Sequence, residues 1–150
     1  MKNAPLLVLA CVILFTASGS AQQPSVPSTR PGTEQPQYKT KKLSRDEFDR
    51  LVAEPSRLLI IDVRRPDEVT SIGGYAVYLS IQAADIERQL AWIPRDRTIV
   101  TVSNHANRSG RVGDLLTSKG FNVAGTIGVQ DYEAEGGTLT KIAPPKAGGR

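Results

Sequence analysis

The amino-acid sequence predicts a single α/β domain, built as a mostly parallel sheet with helices on both faces. Short, continuous apolar runs of strand length alternate with segments whose apolar residues recur at helical spacing. Parallel strands buried on both faces have such continuous runs, and each pair of them needs a crossover, usually helical, between its members. Residues 43–142 carry this alternation, and about 100 residues suffice for one hydrophobic core.

The first two elements have the clearest local signals. Ser44 with Glu47 three residues later forms a capping-box pattern, and Phe48 and Leu51 follow at helical spacing. A helix is therefore predicted to begin after Ser44. The apolar run "RLLIIDV" at 57–63 is short enough for a strand that is buried on both faces.

The remaining elements continue the alternation to the end of the domain. The predicted strands are residues 75–81, 97–103 and 121–128, and the predicted helices are residues 83–93, 108–120 and 129–137. Gly120 is expected to end the helix at 108–120, because glycine is the usual residue just after a helix. Trp92, which precedes Pro94 on an amphipathic segment, is expected to be a packing residue.

The first 21 residues have the pattern of a secretory signal peptide. Lys2 is followed by an apolar run at 4–17 and by the small residues "SGSA", with a cleavage point predicted after Ala21. The run is too short to span a bilayer comfortably. We therefore expect a periplasmic or secreted protein, with a retained membrane anchor as the alternative.

The only cysteine, Cys11, lies inside that apolar run. Cleavage after Ala21 would leave a mature protein without a disulfide, a thiolate metal site or a cysteine nucleophile. The alternative is that "VLAC", which weakly resembles a lipobox, directs lipidation of Cys11 and so attaches the protein to a membrane.

Two polar segments flank the predicted domain. Residues 22–42 are rich in proline, glutamine, serine and threonine and predict a disordered basic linker, and residues 143–150 predict a disordered tail. The formal net charge of +4 resides in these segments, because the domain itself is nearly neutral. No basic stripe or aromatic run favours nucleic-acid binding.

Two motifs of the domain resemble a known family. At the end of the strand at 57–63, Asp62, Val63 and Arg64 are followed by Pro66 and Glu68. The second motif is an apolar strand, a six-residue loop, an Arg-Ser pair, a helix, Gly-Phe and a further strand. In this order the motifs resemble the rhodanese-like domains of the sulfurtransferase superfamily, over residues 43–142. The resemblance implies their single-domain α/β fold.

The sequence departs from the family pattern at several positions. Active members have a cysteine, four residues and an arginine in the loop, and Ser103 stands where that cysteine would be. Ala106 replaces the glycine of the middle of the loop. The usual Gly-His-Ile segment reads "IGGY", and Tyr132 lies where a tryptophan is common.

The serine at position 103 removes the chemistry that the family uses. Sulfur transfer needs a thiolate that carries a persulfide, whereas a serine hydroxyl is far less acidic and needs an adjacent general base to act as a nucleophile. The only histidine is His105, in the same loop. Ser103 and His105 are therefore the candidate catalytic residues, but we expect His105 at the rim of the loop.

The loop keeps the features of an anion-binding site. A turn between a strand and a helix can direct successive backbone N–H groups at one point, and the helix N-terminus adds a partial positive charge. The candidate ligand-binding residues are Ser103, Asn104, His105, Ala106, Asn107, Arg108 and Ser109. Arg108 is expected either to bind an oxyanion with two N–H groups or to hold the loop through Glu68. Asp62, Arg64 and Glu68 are expected to support the loop.

These observations predict an exported rhodanese-like protein without sulfurtransferase activity. The 103–109 loop is expected to bind a phosphate- or sulfate-like anion or an exported protein partner. The alternative is an enzyme that transfers sulfur or phosphate with Ser103, His105 or a thiol of a partner. No cofactor is expected, and no cluster of His, Cys and Asp predicts a metal site.

Overall fold

The computed structural model describes residues 37–141, which form a four-stranded parallel sheet in the order β2–β1–β3–β4. The strands are β1 (Leu58–Asp62), β2 (Leu79–Ser80), β3 (Thr98–Ser103) and β4 (Val123–Gly128). The helices are α1 (Arg45–Val52), α2 (Pro66–Ile72), α3 (Ile86–Gln89), α4 (Asn107–Ser118) and α5 (Val129–Ala134), and a 3-10 turn at Leu90–Trp92 follows α3. The predicted α/β class is confirmed.

The strands alternate their side chains between two hydrophobic clusters, as the pleat of a sheet requires. In β1, Ile60 belongs to one cluster and Ile61 to the other, and in β3, Val100 and Ile99 divide in the same way. These two strands are thus apolar on both faces, which explains why their runs are continuous in sequence.

Helices cover both clusters, as predicted. Phe48 of α1 and Val129 of α5 pack on one face of the sheet. Ile86 of α3 and Leu116 of α4 pack on the other. Two layers of helix therefore enclose the sheet and leave the carboxyl ends of its strands at one edge.

Two predicted elements differ markedly from the structure, and one helix was not predicted. The strand predicted at 75–81 contains only Leu79–Ser80, because Gly74 pairs with Thr140 and Val77 is 81% exposed. The helix predicted at 83–93 divides into α3 and the 3-10 turn. Helix α2 was not predicted, although Pro66 at its start and Gly73 at its end, with φ of +100°, are typical helix boundaries.

The expectation that Trp92 packs in the core is wrong. Its side chain lies in the 3-10 turn and is 79% exposed. The neighbouring Ile93 is 3% exposed and takes the buried position instead.

The last residues of the predicted linker pack against the domain. Thr126 N–H donates to the Lys41 carbonyl, and Leu43 N–H donates to the Thr126 carbonyl. The Asp114 carboxylate on α4 accepts hydrogen bonds from the backbone N–H groups of Lys39 and Thr40. We call residues 38–42 the N-terminal strap. It is ordered because these residues obtain backbone partners that a free linker lacks.

Other expectations lie outside the described residues: the signal peptide at 1–21, the linker at 22–36 and the tail at 143–150. Among residues 37–141, no helix combines the length and the apolar character that crossing a membrane requires.

Candidate functional site

The candidate site lies where β1 and β3, two adjacent parallel strands, reach their carboxyl ends. Asp62 ends β1 and Ser103 ends β3, and the two strands are paired in register from Leu58 to Asp62. Ligands of open α/β sheets bind beside the carboxyl ends of the strands. The fold therefore brings the two sequence motifs together at one edge.

The Ser103 hydroxyl is directed into the protein. Ser103 is 1% exposed, its Oγ lies 3.0 Å from Ser109 Oγ, and it accepts a hydrogen bond from Ser109 N–H at 3.3 Å. Ser109 Oγ in turn lies 2.6 Å from Thr126 Oγ1, and the Thr101 hydroxyl donates to the Ser109 carbonyl at 2.9 Å. These four buried hydroxyls join β3 and β4 to the first turn of α4.

The loop after Ser103 makes a sharp turn into α4. Ala106 has a φ of +64°, in the left-handed region that a residue with a Cβ seldom adopts. It is completely buried, and its carbonyl accepts the N–H of Gly110 at 2.7 Å. Strained backbone of this kind tends to occur at functional sites. The family's glycine would adopt this conformation without strain.

The backbone N–H groups of the loop are available. Within residues 37–141, no protein acceptor lies in hydrogen-bond range of the N–H groups of residues 104–108. Some of these donors belong to the first turn of α4, where helix geometry leaves N–H groups without an internal partner. The N-terminus of α4 also carries a partial positive charge, which favours an anion placed before the helix.

Glu68 connects α2 to the loop. Its carboxylate accepts two hydrogen bonds from the Arg108 guanidinium, at 2.6 and 2.8 Å, and one from Asn104 Nδ2 at 2.7 Å. It also accepts the N–H of Arg65 at 3.0 Å, which caps α2. Of the two expectations for Arg108, the structure shows the pairing with Glu68.

The pKa of the Glu68 carboxyl is lowered to about 2. The hydrogen bonds from Arg108 are the largest cause, and the Arg65 N–H adds to them, while burial acts in the opposite direction. The carboxylate is therefore charged at every pH at which the domain is expected to function. Its negative charge lies beside the loop that is expected to bind an anion.

Asp62 and Arg64 form a completely buried ion pair beneath the site. Arg64 Nη2 donates to Asp62 at 2.7 Å and to the Gly73 carbonyl at 2.9 Å, and Arg64 Nε donates to the same carboxylate. The backbone N–H of Arg64 also donates to Asp62 Oδ1. These bonds fix the turn after β1 from which α2 and Glu68 start.

His105 lies at the outer rim of the loop. Its side chain is 62% exposed, and its Nδ1 lies 3.2 Å from Asp131 Oδ1 on α5. Asp131 also pairs with Lys42 of the N-terminal strap at 2.7 Å. The hydrogen bonds of Ser103 go to Ser109 and that of His105 goes to Asp131, so the two candidate catalytic residues are not paired with each other.

Several residues of this region were not found from the sequence. Thr101 and Thr126 lie within apolar strands, where a buried hydroxyl gives little signal, and Asp131 and Lys42 are distant from the loop along the chain. Asn107 was expected in the site and is the exposed first residue of α4. Among residues 37–141, no group of His, Cys, Asp and Glu residues could hold a metal ion.

Comparisons with solved structures identify the fold. The chain aligns with a rhodanese-related protein of Thermoplasma volcanium over 70% of its own length and 100% of the other chain, with a TM-score of 0.59 and 21% identity. A Rhodopseudomonas palustris protein named a possible tyrosine phosphatase aligns with a TM-score of 0.57 and 19% identity, over 69% of this chain and 85% of the other.

A thiosulfate sulfurtransferase of Pseudomonas aeruginosa aligns with a TM-score of 0.54 and 23% identity, over 67% of this chain but only 20% of the enzyme. No protein-family model and no curated protein matches the sequence. At these identities the likeness is one of fold. The chain therefore has the rhodanese-like fold that the motifs predict.

Proposed function

We propose that this rhodanese-like domain is a non-catalytic binding module for a small oxyanion of the phosphate or sulfate type. The observation that carries the proposal is the set of backbone N–H groups at 104–108 without a protein acceptor, at the N-terminus of the 12-residue helix α4. Free backbone N–H groups at a helix N-terminus can bind anions without any need for a nucleophile.

Arg108 and Glu68 have opposite effects on the affinity of this site for an anion. Arg108 supplies a positive charge beside the loop, and its side chain is 37% exposed. Glu68 holds that guanidinium in place but neutralises part of its charge. We therefore propose that the loop amides provide most of the affinity and that Arg108 strengthens it.

The proposal excludes sulfurtransferase activity because position 103 is a serine. A hydroxyl cannot carry sulfur as a persulfide, and the Ser103 hydroxyl is bonded to Ser109 rather than to a general base. The alternative of an enzyme that uses Ser103 or His105 would need His105 to leave Asp131 and reach a buried hydroxyl.

Export is part of the proposal and rests on the sequence of residues 1–21. An exported module of this kind meets anions and other exported proteins. A protein partner is the second candidate ligand, favoured by Trp92, because exposed tryptophans are enriched among the residues that dominate protein interfaces.

Anion binding can be tested by thermal unfolding of the domain in sodium phosphate or sulfate, against sodium chloride of equal ionic strength. A specific ligand at about 100 times its Kd adds about 2.7 kcal/mol to the free energy of unfolding, which raises Tm by several degrees. We expect Arg108→Ala to reduce this rise and Arg50→Ala, at an exposed arginine of α1, to leave it unchanged. Equal Tm values in all three salts would contradict the proposal and favour a protein ligand.

Absence of sulfur transfer can be tested with the thiosulfate:cyanide assay. We expect no turnover by the native protein, because no persulfide can form on Ser103. The variant Ser103→Cys tests whether the fold still supports the reaction once a thiol is present. Turnover by the native protein on the order of 1 s⁻¹ or faster, in the range typical of enzymes, would contradict the proposal.

A further inference from the structure

A cavity of about 460 Å³ opens on the face of the sheet that α1 and α5 cover, beside β1 and β2. Its walls come from α1, β1, the turn at 75–78, Tyr132 of α5 and the segment at 138–140. Binding sites for small organic molecules usually measure about 300–1,000 Å³. None of the lining residues belongs to the 103–109 loop or to the residues that support it, so this cavity is separate from the candidate site.

The lining of the cavity is apolar and aromatic and carries no charge. Among residues 37–141, no Lys, Arg, His, Asp or Glu side chain lines it. The rings of Phe48, Tyr75 and Tyr132 are grouped together, with centroids 4.6 to 5.5 Å apart. An ion that entered would lose its hydration and find no partner of opposite charge. The cavity therefore suits an uncharged, largely apolar molecule.

The rim of the cavity exposes apolar side chains to water. Val52 is 42% exposed and Val77 is 81% exposed, and both line the cavity. They are two of the three large apolar residues that are exposed among residues 37–141. Two valines offer only a small part of the area of about 800 Å² that each partner of a stable protein interface buries. The exposed apolar surface thus fits a small molecule better than a second protein chain.

Tyr75 gives the lining a polar group that has no partner. Its side chain is 8% exposed, and nothing among residues 37–141 forms a hydrogen bond with its buried hydroxyl. The Tyr132 hydroxyl, by contrast, donates to the Asp49 carboxylate at 2.8 Å. Buried tyrosine hydroxyls usually have a partner, because an unmade hydrogen bond is costly. A ligand with an oxygen atom at its inner end would supply that partner.

We propose that this cavity binds an uncharged aromatic molecule of one or two rings that carries a hydroxyl or carbonyl oxygen. The rings lie against Phe48 and Val77, and the oxygen forms a hydrogen bond with the Tyr75 hydroxyl. A cavity of about 150 Å³ is large enough to hold benzene, so two fused rings fit within this one. The inference does not depend on anion binding by the loop.

The test is a fluorescence titration of the native protein with 2-naphthol, naphthalene and 2-naphthoate at pH 7. We expect 2-naphthol to bind at least about tenfold more tightly than 2-naphthoate, a difference of about 1.4 kcal/mol, because the carboxylate finds no cation in the lining. Naphthalene should bind about fivefold more weakly than 2-naphthol, as expected for the loss of one neutral hydrogen bond.

Two variants assign the binding to the cavity. Tyr75→Phe should reduce the affinity for 2-naphthol to that for naphthalene, without lowering the Tm of the free protein, because the hydroxyl that it removes has no partner. Val77→Lys places a positive charge at the exposed rim, so it should reduce the preference for 2-naphthol over 2-naphthoate several-fold. The control Trp92→Lys, at an exposed apolar residue outside the cavity, should leave that preference unchanged.

The other possible occupants give different results, and each of them would overturn the inference. A chain that binds 2-naphthol only after removal of residues 142–150 would show that its own C-terminal segment fills the cavity. A dimer in analytical ultracentrifugation that Val77→Lys dissociates would show that a second copy covers it. Equal affinity for 2-naphthol and 2-naphthoate, or a preference that Val77→Lys leaves unchanged, would place the probes elsewhere on the protein.

Discussion

The Glu68 side chain has three structural tasks at once. It caps α2 through the N–H of Arg65, binds the Asn104 amide of the loop and pairs with Arg108 at the start of α4. It is only 13% exposed, so these hydrogen bonds form in a partly desolvated environment, where charge-assisted bonds are stronger than neutral ones. A single carboxylate thus connects α2, the loop and the start of α4.

The lowered pKa of Glu68 predicts a defined loss of stability in acid. Its folded-state pKa is about 2 and its ordinary value is 4.5, so the unfolded chain binds the proton first as the pH falls. The stabilisation is therefore fully present above about pH 4.5 and is lost between there and about pH 2. The free energy of unfolding should be measured across pH 2 to 6 for the native protein and for Glu68→Gln.

We expect the native protein to be the more stable of the two near pH 6 and the difference to shrink steadily below pH 4.5. A difference that is independent of pH would show that the carboxylate charge does not stabilise the fold.

The Glu68→Gln variant should also bind phosphate more tightly than the native protein at pH 7, since it removes a negative charge from the site.

At the scale of elements, helix α4 has two buried faces with different roles. One face carries Val112 and Leu116 into the core, and another carries two glycines against the N-terminal strap. A Cβ at Gly110 would overlap the Tyr38 ring, and a Cβ at Gly113 would overlap the Thr40 side chain. The glycines permit close approach of the strap, and Asp114 then accepts its backbone N–H groups.

This packing predicts that Gly110→Ala destabilises the protein, although helix propensity alone predicts the opposite. In an isolated helix, Gly110→Ala would stabilise by up to about 1 kcal/mol. In this protein we expect a net loss of about 1–3 kcal/mol, because the new methyl group displaces Tyr38. Chemical unfolding of Gly110→Ala, Tyr38→Ala and the double variant would measure the coupling between them.

In the Tyr38→Ala background, Gly110→Ala should be neutral or stabilising, because the clash is gone. A loss of the same size in both backgrounds would mean that the glycine serves some purpose other than contact with the strap.

At the scale of the whole molecule, the proposed cleavage after Ala21 would leave a mature protein without cysteine. Such a protein would have no thiol for sulfur transfer and no disulfide, so its stability would depend on the two hydrophobic clusters, the strap and the site's ion pairs. It would also be insensitive to oxidation at cysteine.

Export and cleavage can be checked by expression of the full chain in a bacterial host with a secretion pathway. We expect the exported fraction to contain a protein whose intact mass corresponds to residues 22–150, with no thiol detected by a disulfide-exchange reagent. A mass that includes residues 1–21 would indicate a retained anchor. A lipid-modified chain that starts at Cys11 would support the lipoprotein alternative.

The elements that the sequence predicted well are those whose signal is local. Strands β1 and β3 are continuous apolar runs, and the capping box of Ser44 and Glu47 begins α1 as expected. Local signals were weaker for β2, where an apolar run extends into an exposed turn at Val77. Helix α2 had boundary signals, but its exposed polar surface lacks a strong apolar period.

The sequence alone determined the class of fold, the order along the chain of the four strands and of every helix except α2, the place of the loop and the serine that stands in it. Those properties depend on residue type and on spacing along the chain. The tertiary structure alone decided that Arg108 pairs with Glu68, that Ser103 faces Ser109, that His105 faces Asp131 and that the strap packs on α4. The bond between Ser103 and Ser109 spans the loop between two consecutive elements. The other contacts join residues that are distant in sequence, and only the packing of helices on the sheet brings their side chains within hydrogen-bond distance.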